Sequence, residues 1–122
     1  MPVLRGLTII VVSGDRERFR AALTLACTQS ALGGAARIFA HEGAAALLVP
    51  DDDAGDAALI ESGLPTRGQL LAMAIDAGVS LIACQTGLAI AGRQATDLPP
   101  GVETGGMVAI LATLGEDRLV TI

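Results

Sequence analysis

The sequence predicts a single-domain α/β protein organised around a parallel β-sheet, and three observations point to this class. The chain has 122 residues, a length that fits one domain over residues 1–122. Continuous runs of β-branched residues, typical of strands buried on both faces, alternate with segments in which apolar residues recur at helical spacing. Capping residues and glycines mark the boundaries between these segments, as expected for successive βαβ units.

The first βαβ unit lies at the N-terminus. The run LTIIVVS over 7–13 predicts a buried strand. Asp15 is a favourable N-cap for a helix predicted over 16–32, which a pair of glycines terminates. The segment RIFA over 37–40 predicts the second strand. Strand, helix and strand in this order imply parallel pairing through a right-handed crossover.

The middle of the chain contains a polar segment and a well-marked helix. A short helix is predicted over 44–48. The acidic run DDDAGD over 51–56 is predicted to be a solvated loop within the region 49–64, whose role the sequence leaves open. Thr66 and Gln69 have the spacing of a capping box, which predicts that a helix begins there.

The C-terminal half completes the sheet. Residues 79–83 predict the third strand, 84–87 a turn beyond it, and 88–92 one or two helical turns. Residues 102–103 predict a very short strand, and 118–122 predict a closing strand. A final helix between these two strands opens at a glycine pair and carries its apolar residues on one face: Gly105, Gly106, Met107, Ile110, Leu111 and Leu114.

Composition argues against several classes of function. The chain has eight arginines, no lysine and thirteen acidic residues, for a net charge of −5, and it has no Tyr or Trp. These features argue against nucleic-acid binding. No apolar stretch approaches the ~20 residues of a membrane span, and the first residues lack a signal peptide's features, so the cytoplasm is the expected location.

An alanine-rich core with two phenylalanines favours self-association.

Several of the predicted loops meet at one edge of the sheet. In a parallel α/β sheet, ligands bind at the carboxyl ends of the strands. Cys84 lies there between a strand end and a helix start, where backbone N–H groups and the helix dipole favour a thiolate. The small residues after it leave the sulfur accessible for nucleophilic or sulfur-carrying chemistry. The predicted pocket around Cys84 comprises Ser13, Gly14, His41, Gly43, Gln85, Thr86, Gly87, Gly105 and Gly106.

Each candidate residue also has a structural interpretation. Cysteine is among the most buried residue types, so Cys84 could equally complete a packed strand. Cys27 shares a helical stripe with Phe19 and Leu23, which indicates a core residue. His41 could pair with the Cys84 thiol, but a strand-end histidine that contacts solvent or a carbonyl group is the simpler alternative.

The sequence gives no sign of a metal or an organic cofactor. His41 is the single histidine, and the acidic run lacks the spacing of a calcium loop. The segment after the first strand lacks the glycine patterns of nucleotide-binding loops, and the chain has no lysine to reach a phosphate. A flavodoxin-like flavin site is disfavoured because no suitable aromatic residue is available to stack on the ring. We therefore expect neither metal nor cofactor.

The order and spacing of these segments resemble those of the DsrE/DsrF-like family, which includes small bacterial sulfur-relay subunits and uncharacterised relatives. The resemblance covers most of the chain, and each motif alone is weak. The sequence differs from the family pattern at the residues after Cys84, where it has QTGL and relatives often have a segment that contains methionine. The matching segments are 7–13, the helix that ends at 33–34, the capped helix that begins at Thr66, 76–84, 101–106 and 116–122.

The resemblance implies a three-layer domain with a five-stranded, mainly parallel sheet between helices, in a DsrE/F-like, flavodoxin- or Rossmann-like architecture. It also implies homotrimers or homohexamers. In active members, a cysteine after the third main strand accepts sulfane sulfur as a persulfide, and Cys84 lies at that position.

Two functional hypotheses follow. The first is a cytoplasmic sulfur-relay protein, resembling a sulfurtransferase, that receives sulfur on Cys84 from a donor protein and passes it to an acceptor. The second is a non-catalytic, homo-oligomeric module of the same fold that binds a small ligand or a protein, in which Cys84 is an ordinary packed residue. The reactivity of the two thiols separates these hypotheses.

Overall fold

A parallel β-sheet forms the centre of the protein. The structure is a computed structural model that describes residues 4–50 and 56–122. The sheet has five strands in the order β4-β3-β2-β1-β5, and every neighbouring pair is parallel. The strands are β1 (Leu7–Val11), β2 (Ala36–Ala40), β3 (Ser80–Cys84), β4 (Glu103–Gly105) and β5 (Arg118–Thr121). The predicted fold class is confirmed, and the sheet is wholly rather than mainly parallel.

Helical segments connect consecutive strands. Their bounds are α1 (Arg16–Ala31), α2 (Ala57–Glu61), α3 (Arg67–Asp76), α4 (Gln85–Ile90) and α5 (Met107–Ala112), with 3-10 segments at Glu42–Leu48 and Ala95–Asp97. None of the helices in the described part of the chain is long and apolar enough to cross a membrane.

The two best-marked helix starts have the caps that the sequence predicts. The Asp15 side chain accepts a hydrogen bond from the Arg18 amide at 2.9 Å, which satisfies one of the unpaired N–H groups of the first turn of α1. Thr66 and Gln69 form a reciprocal capping box at the start of α3. Local side-chain chemistry therefore fixes where both helices begin.

Helices cover both faces of the sheet. Side chains alternate between the faces along a strand. Arg118 of β5 lies opposite Leu7 and donates to Gln29 of α1. Thr8 follows Leu7 in β1, so its side chain lies on the other face of the sheet. Arg37 of β2 lies opposite Thr8 and donates to the Ile110 carbonyl of α5. Thus α1 and α5 lie on opposite faces, which gives three layers.

The core lies mainly between the sheet and α1 with α3. All five residues of β1 are buried, as expected for a central strand covered on both faces. The 3-10 segment Glu42–Leu48 contributes four buried residues and packs against α4. The largest fully buried side chains are Phe19, Phe39, Ile9, Leu23, Ile38, Leu48, Leu71, Leu81, Val11 and Thr8.

A polar network joins the sheet to α5. The fully buried Thr8 hydroxyl donates to the Asp117 carboxylate at 2.7 Å and accepts from Arg37 Nε, also at 2.7 Å. The same guanidinium donates to Thr113 Oγ1 at 2.8 Å and to the Ile110 carbonyl at 2.9 Å. Arg37 therefore connects β1, β2, α5 and the residue that precedes β5.

Four details differ from the prediction, and the first three concern the segments next to strands β3 and β4. The predicted turn at 84–87 is wrong, because β3 extends to Cys84 and α4 begins at the next residue. Gly105 belongs to β4 rather than to the final helix, for which Gly106 is the N-cap. Leu111 is half-exposed, so the apolar residues of α5 do not all face the core.

The fourth difference concerns the acidic region. Asp56 is 5% exposed, and the short helix α2 follows it, so the prediction of a solvated loop is wrong at this end of the region. Asp56 Oδ2 lies 3.4 Å from the amide nitrogen of Arg67, at the start of α3. This contact to a helix terminus compensates in part for burying the carboxylate. Residues 51–55 of the predicted loop lie outside the described residues.

Candidate functional site

A cavity of about 250 Å³ lies at the carboxyl ends of three adjacent strands, β2, β3 and β4. The reversal of strand order lies elsewhere, between β1 and β5. The cavity therefore depends on the loops that follow β2, β3 and β4 rather than on the position where ligands most often bind in such sheets. Its lining residues are His41, Glu42, Cys84, Gln85, Thr86, Gly105, Gly106 and Met107.

Cys84 lies at the junction of β3 and α4. It is the last residue of the strand and the N-cap of the helix, with an extended backbone. The residue is 7% exposed, so it is mostly enclosed and reaches solvent through the cavity. The first N–H groups of any helix have no acceptor within the helix, and those of α4 follow Cys84 directly.

Cys27 lies in a different environment. It is on α1, partly buried, and packs against the core. Burial raises the pKa of the Cys27 thiol because the thiolate loses hydration. Only Cys84 of the two cysteines lines the cavity.

His41 and Glu42 form the side of the cavity that follows β2. His41 Nε2 lies 3.5 Å from a carboxylate oxygen of Glu42. His41 Nδ1 is buried and has no hydrogen-bond partner among the described residues. The ring packs near Phe39, with the centroids 6.1 Å apart. The imidazole is thus held between an aromatic ring and a carboxylate, with one nitrogen unused.

The backbone of Glu42 has an unusual conformation. Its φ of 43° lies in the left-handed region, and among the described residues no other non-glycine residue has a positive φ. Such a conformation is strained for a residue with a Cβ atom and persists where the surroundings enforce it. Gly87 of α4 provides that support, because it lies directly against the main chain of Glu42.

The other predicted pocket residues lie in two groups. Gln85 and Thr86 are exposed beside Cys84, and Gln85 Nε2 lies 3.4 Å from Thr104 Oγ1. Ser13, Gly14, Gly43 and Gly87 do not line the cavity. Instead, Gly14 and Gly43 allow the loops after β1 and β2 to approach closely, since a Cβ atom at Gly14 would lie 3.1 Å from the Gly43 carbonyl oxygen.

The predicted pocket omits two residues that line the cavity. Glu42 adjoins His41, and its position after a strand was visible, but its left-handed backbone gives no sequence signal. The sequence predicts Met107 on the apolar face of the final helix, and it lines the cavity because α5 begins where β4 ends.

A larger cavity, of about 400 Å³, lies away from the strand ends, between α1, α2 and α3. Its lining includes Arg20 and the buried Arg67. Arg67 Nη1 donates to the carbonyl groups of Leu47 and Val49, the latter at 2.8 Å. Arg20 donates to the Pro65 carbonyl at 2.7 Å. These contacts connect the helices to neighbouring loops, so the arginines have a structural role.

Metal ligands are sparse in the part of the chain that the structure describes. No group of three or more His, Cys, Asp or Glu side chains there is arranged to hold a metal ion. The described residues of the Cys84 cavity supply one imidazole, one carboxylate and one thiol among their ionisable groups.

No family model matches the sequence, and no curated protein matches it. The fold does match solved structures. The ychN protein from E. coli is 22% identical with a TM-score of 0.72, and the alignment covers 98% of this chain and 100% of that one. MTH1491 from Methanobacterium thermoautotrophicum, described as a protein of unknown function, is 15% identical with a TM-score of 0.70 and the same coverage. The chain therefore shares the fold of these two proteins, and at these identities the likeness extends to the fold alone.

Proposed function

We propose that the protein is a cytoplasmic sulfur carrier that holds sulfane sulfur as a persulfide on Cys84. One observation supports this above all: the cavity at the carboxyl ends of β2, β3 and β4 contains one thiol, with an imidazole and a carboxylate beside it. The volume of about 250 Å³ suits a persulfide and the end of the side chain that delivers it. The similarity to sulfur-relay subunits noted for the sequence points to the same chemistry.

The transfer step is neutral in redox terms. The Cys84 thiolate attacks the outer sulfur of a donor persulfide R–S–SH, and a new S–S bond forms as the donor S–S bond breaks. The donor leaves as R–S⁻ and takes up the proton that the Cys84 thiol released, so the products are R–SH and Cys84–S–SH. Attack by an acceptor thiol on the outer sulfur reverses these events. No metal or organic cofactor takes part.

The neighbours of Cys84 have distinct roles in this proposal. His41 takes the thiol proton and returns it to the departing donor sulfur, and Glu42 orients the ring from 3.5 Å. The first-turn N–H groups of α4 stabilise the anionic sulfur. Gln85 and Thr86, which are exposed at the cavity mouth, contact the donor.

We also propose that the protein assembles as a homotrimer or homohexamer. Val108 and Leu111 lie three residues apart on α5, which places them on one face, and Val108 is 85% exposed. Leu119 of the edge strand β5 is exposed as well. Burial of such residues between copies of the chain removes apolar surface from water. The molecular mass in solution from light scattering tests this, and a monomer at micromolar concentration contradicts it.

We expect Cys84→Ser to abolish persulfide loading, because a hydroxyl cannot replace the sulfur that forms the S–S bond. The measurement is the intact mass of the protein after incubation with a low-molecular-weight persulfide, in which the wild type gains one sulfur atom. Cys27→Ser is the matched control and keeps its loading, since Cys27 does not line the cavity. Undiminished loading of Cys84→Ser would refute the proposal.

The alternative of a non-catalytic binding module has one observation in its favour. Cys84 is only 7% exposed, as an ordinary packed cysteine at a strand end would be. In that case the same cavity binds a small ligand or a side chain of a partner without sulfur chemistry. The rate at which each thiol is alkylated in the native protein separates the two functions.

A further inference from the structure

The charge of the Cys84 cavity limits which donors can enter it. Among the residues that the structure describes, its ionisable lining residues are His41, Glu42 and Cys84, and no described arginine lines it. When Cys84 is a thiolate, it and the Glu42 carboxylate are both negative, and among the described lining residues only the His41 side chain can carry a positive charge. A second anion that approaches the sulfur is therefore repelled rather than bound.

The Glu42 carboxylate lies at the rim of the cavity, where it can repel a negatively charged donor that enters. Its side chain is 58% exposed, and one carboxylate oxygen remains within 3.5 Å of His41 Nε2. The left-handed backbone at Glu42 and the contact with Gly87 fix the direction of the chain at this residue. The carboxylate therefore belongs to the rim of the cavity, where it meets a donor before the donor reaches Cys84.

From this geometry we propose that Glu42 is a specificity-determining residue: it disfavours sulfane donors whose R group carries a negative charge beside the transferred sulfur, so that the cavity accepts persulfides with an uncharged R group in preference to those with a carboxylate there. This inference rests on the proposed sulfur-carrier function. The transfer remains R–S–SH + Cys84–SH → R–SH + Cys84–S–SH for both kinds of donor. The two differ only in the charge that R brings to the rim.

A matched pair of donors tests the inference. The persulfides of N-acetylcysteine amide and of N-acetylcysteine differ by one carboxylate close to the sulfur. The second-order rate of Cys84 loading is measured with each donor at low ionic strength and divided by that donor's rate of transfer to a free thiol. We expect the wild type to prefer the donor with the amide, which lacks the carboxylate, by about fivefold to tenfold, and 1 M salt to reduce this preference by screening.

The Glu42→Gln variant removes the charge and keeps the shape of the side chain, so we expect its preference to fall below about twofold. Glu42→Asn is a second neutral variant, because asparagine tolerates a left-handed backbone. Glu116→Gln changes the net charge equally but lies before β5, at the opposite edge of the sheet, and should keep the wild-type preference.

Three results would overturn the inference. The first is equal normalised rates for the two donors in the wild type, and the second is a preference that persists in both Glu42 variants. The third is a loss of preference in Glu116→Gln that matches the loss in Glu42→Gln, which would reflect net charge alone. If neither donor loads the wild type, the proposed function itself fails, and the inference fails with it.

Discussion

Gly87→Ala is expected to lower the free energy of unfolding by about 2–4 kcal/mol, although alanine is the better helix former. A Cβ atom at this position would lie 2.8 Å from both the carbonyl carbon and the Cα atom of Glu42, and closer still to the carbonyl oxygen. These are backbone atoms, so a side-chain rotation cannot relieve the overlap. Either α4 or the 3-10 segment that begins at Glu42 must move.

Whether Gly87→Ala lowers or raises the free energy of unfolding shows which effect is larger, the steric overlap with Glu42 or the helix propensity of alanine. Helix propensity alone would make Gly87→Ala more stable by about 1 kcal/mol, since Gly87 lies within α4. Chemical denaturation of the wild type and the variant decides between the two. Gly106→Ala is the matched control, because no atom beyond its chain neighbours lies within 4 Å of the position of its Cβ, and we expect a change of less than about 1 kcal/mol. A Gly87→Ala variant as stable as the wild type would show that the contact with Glu42 does not constrain the fold.

Arg37→Met is expected to destabilise the protein by about 2–4 kcal/mol. The substitution keeps an apolar side chain of similar length but removes the donors to Thr8, Thr113 and the Ile110 carbonyl. It also removes the cation 3.9 Å from the Asp117 carboxylate, which would keep only the Thr8 hydroxyl of this network as a partner. Because both charged side chains are partly exposed, we place the cost below that of a fully buried pair.

Arg18→Met is the control for the same chemical change. Arg18 is exposed on α1, and its hydrogen bond to Asp15 uses the backbone amide, so we expect an effect within about 0.5 kcal/mol. Urea denaturation of both variants measures the difference. Equal stabilities of Arg37→Met and Arg18→Met would mean that the network around Thr8 contributes little to the fold.

Much of the fold could be predicted because its signals are local. The β-branched run of β1, the Asp15 cap of α1 and the capping box of α3 each depend on residues within a few positions of one another, and each is found as predicted. The failures have a different origin. The sequence around Asp56 predicts a solvated carboxylate. Its burial depends instead on a contact with the start of α3, eleven positions along the chain. The sequence does not encode that contact in any local pattern.

The site could be predicted only in part for the same reason. The position of Cys84 at a strand end follows from periodicity, and the parallel order of β2 and β3 brings His41 near it. The place of Glu42 in the cavity depends on a strained backbone that Gly87 of α4 supports. The place of Met107 there depends on the residue at which α5 begins. The Arg37 network joins residues as far as 109 positions apart. Only the assembled sheet brings these groups together.

The central claim, that Cys84 is a reactive thiol in the native protein, is tested most directly by alkylation of the two cysteines near neutral pH. The native protein is treated with iodoacetamide, and the modification of each cysteine is followed by peptide mass spectrometry. Cys27 is the internal reference, because burial raises the pKa of its thiol and so reduces its thiolate fraction at neutral pH. We predict that Cys84 is modified in the folded state much faster than Cys27. Protection of Cys84 until the protein unfolds would contradict the claim and favour the binding module.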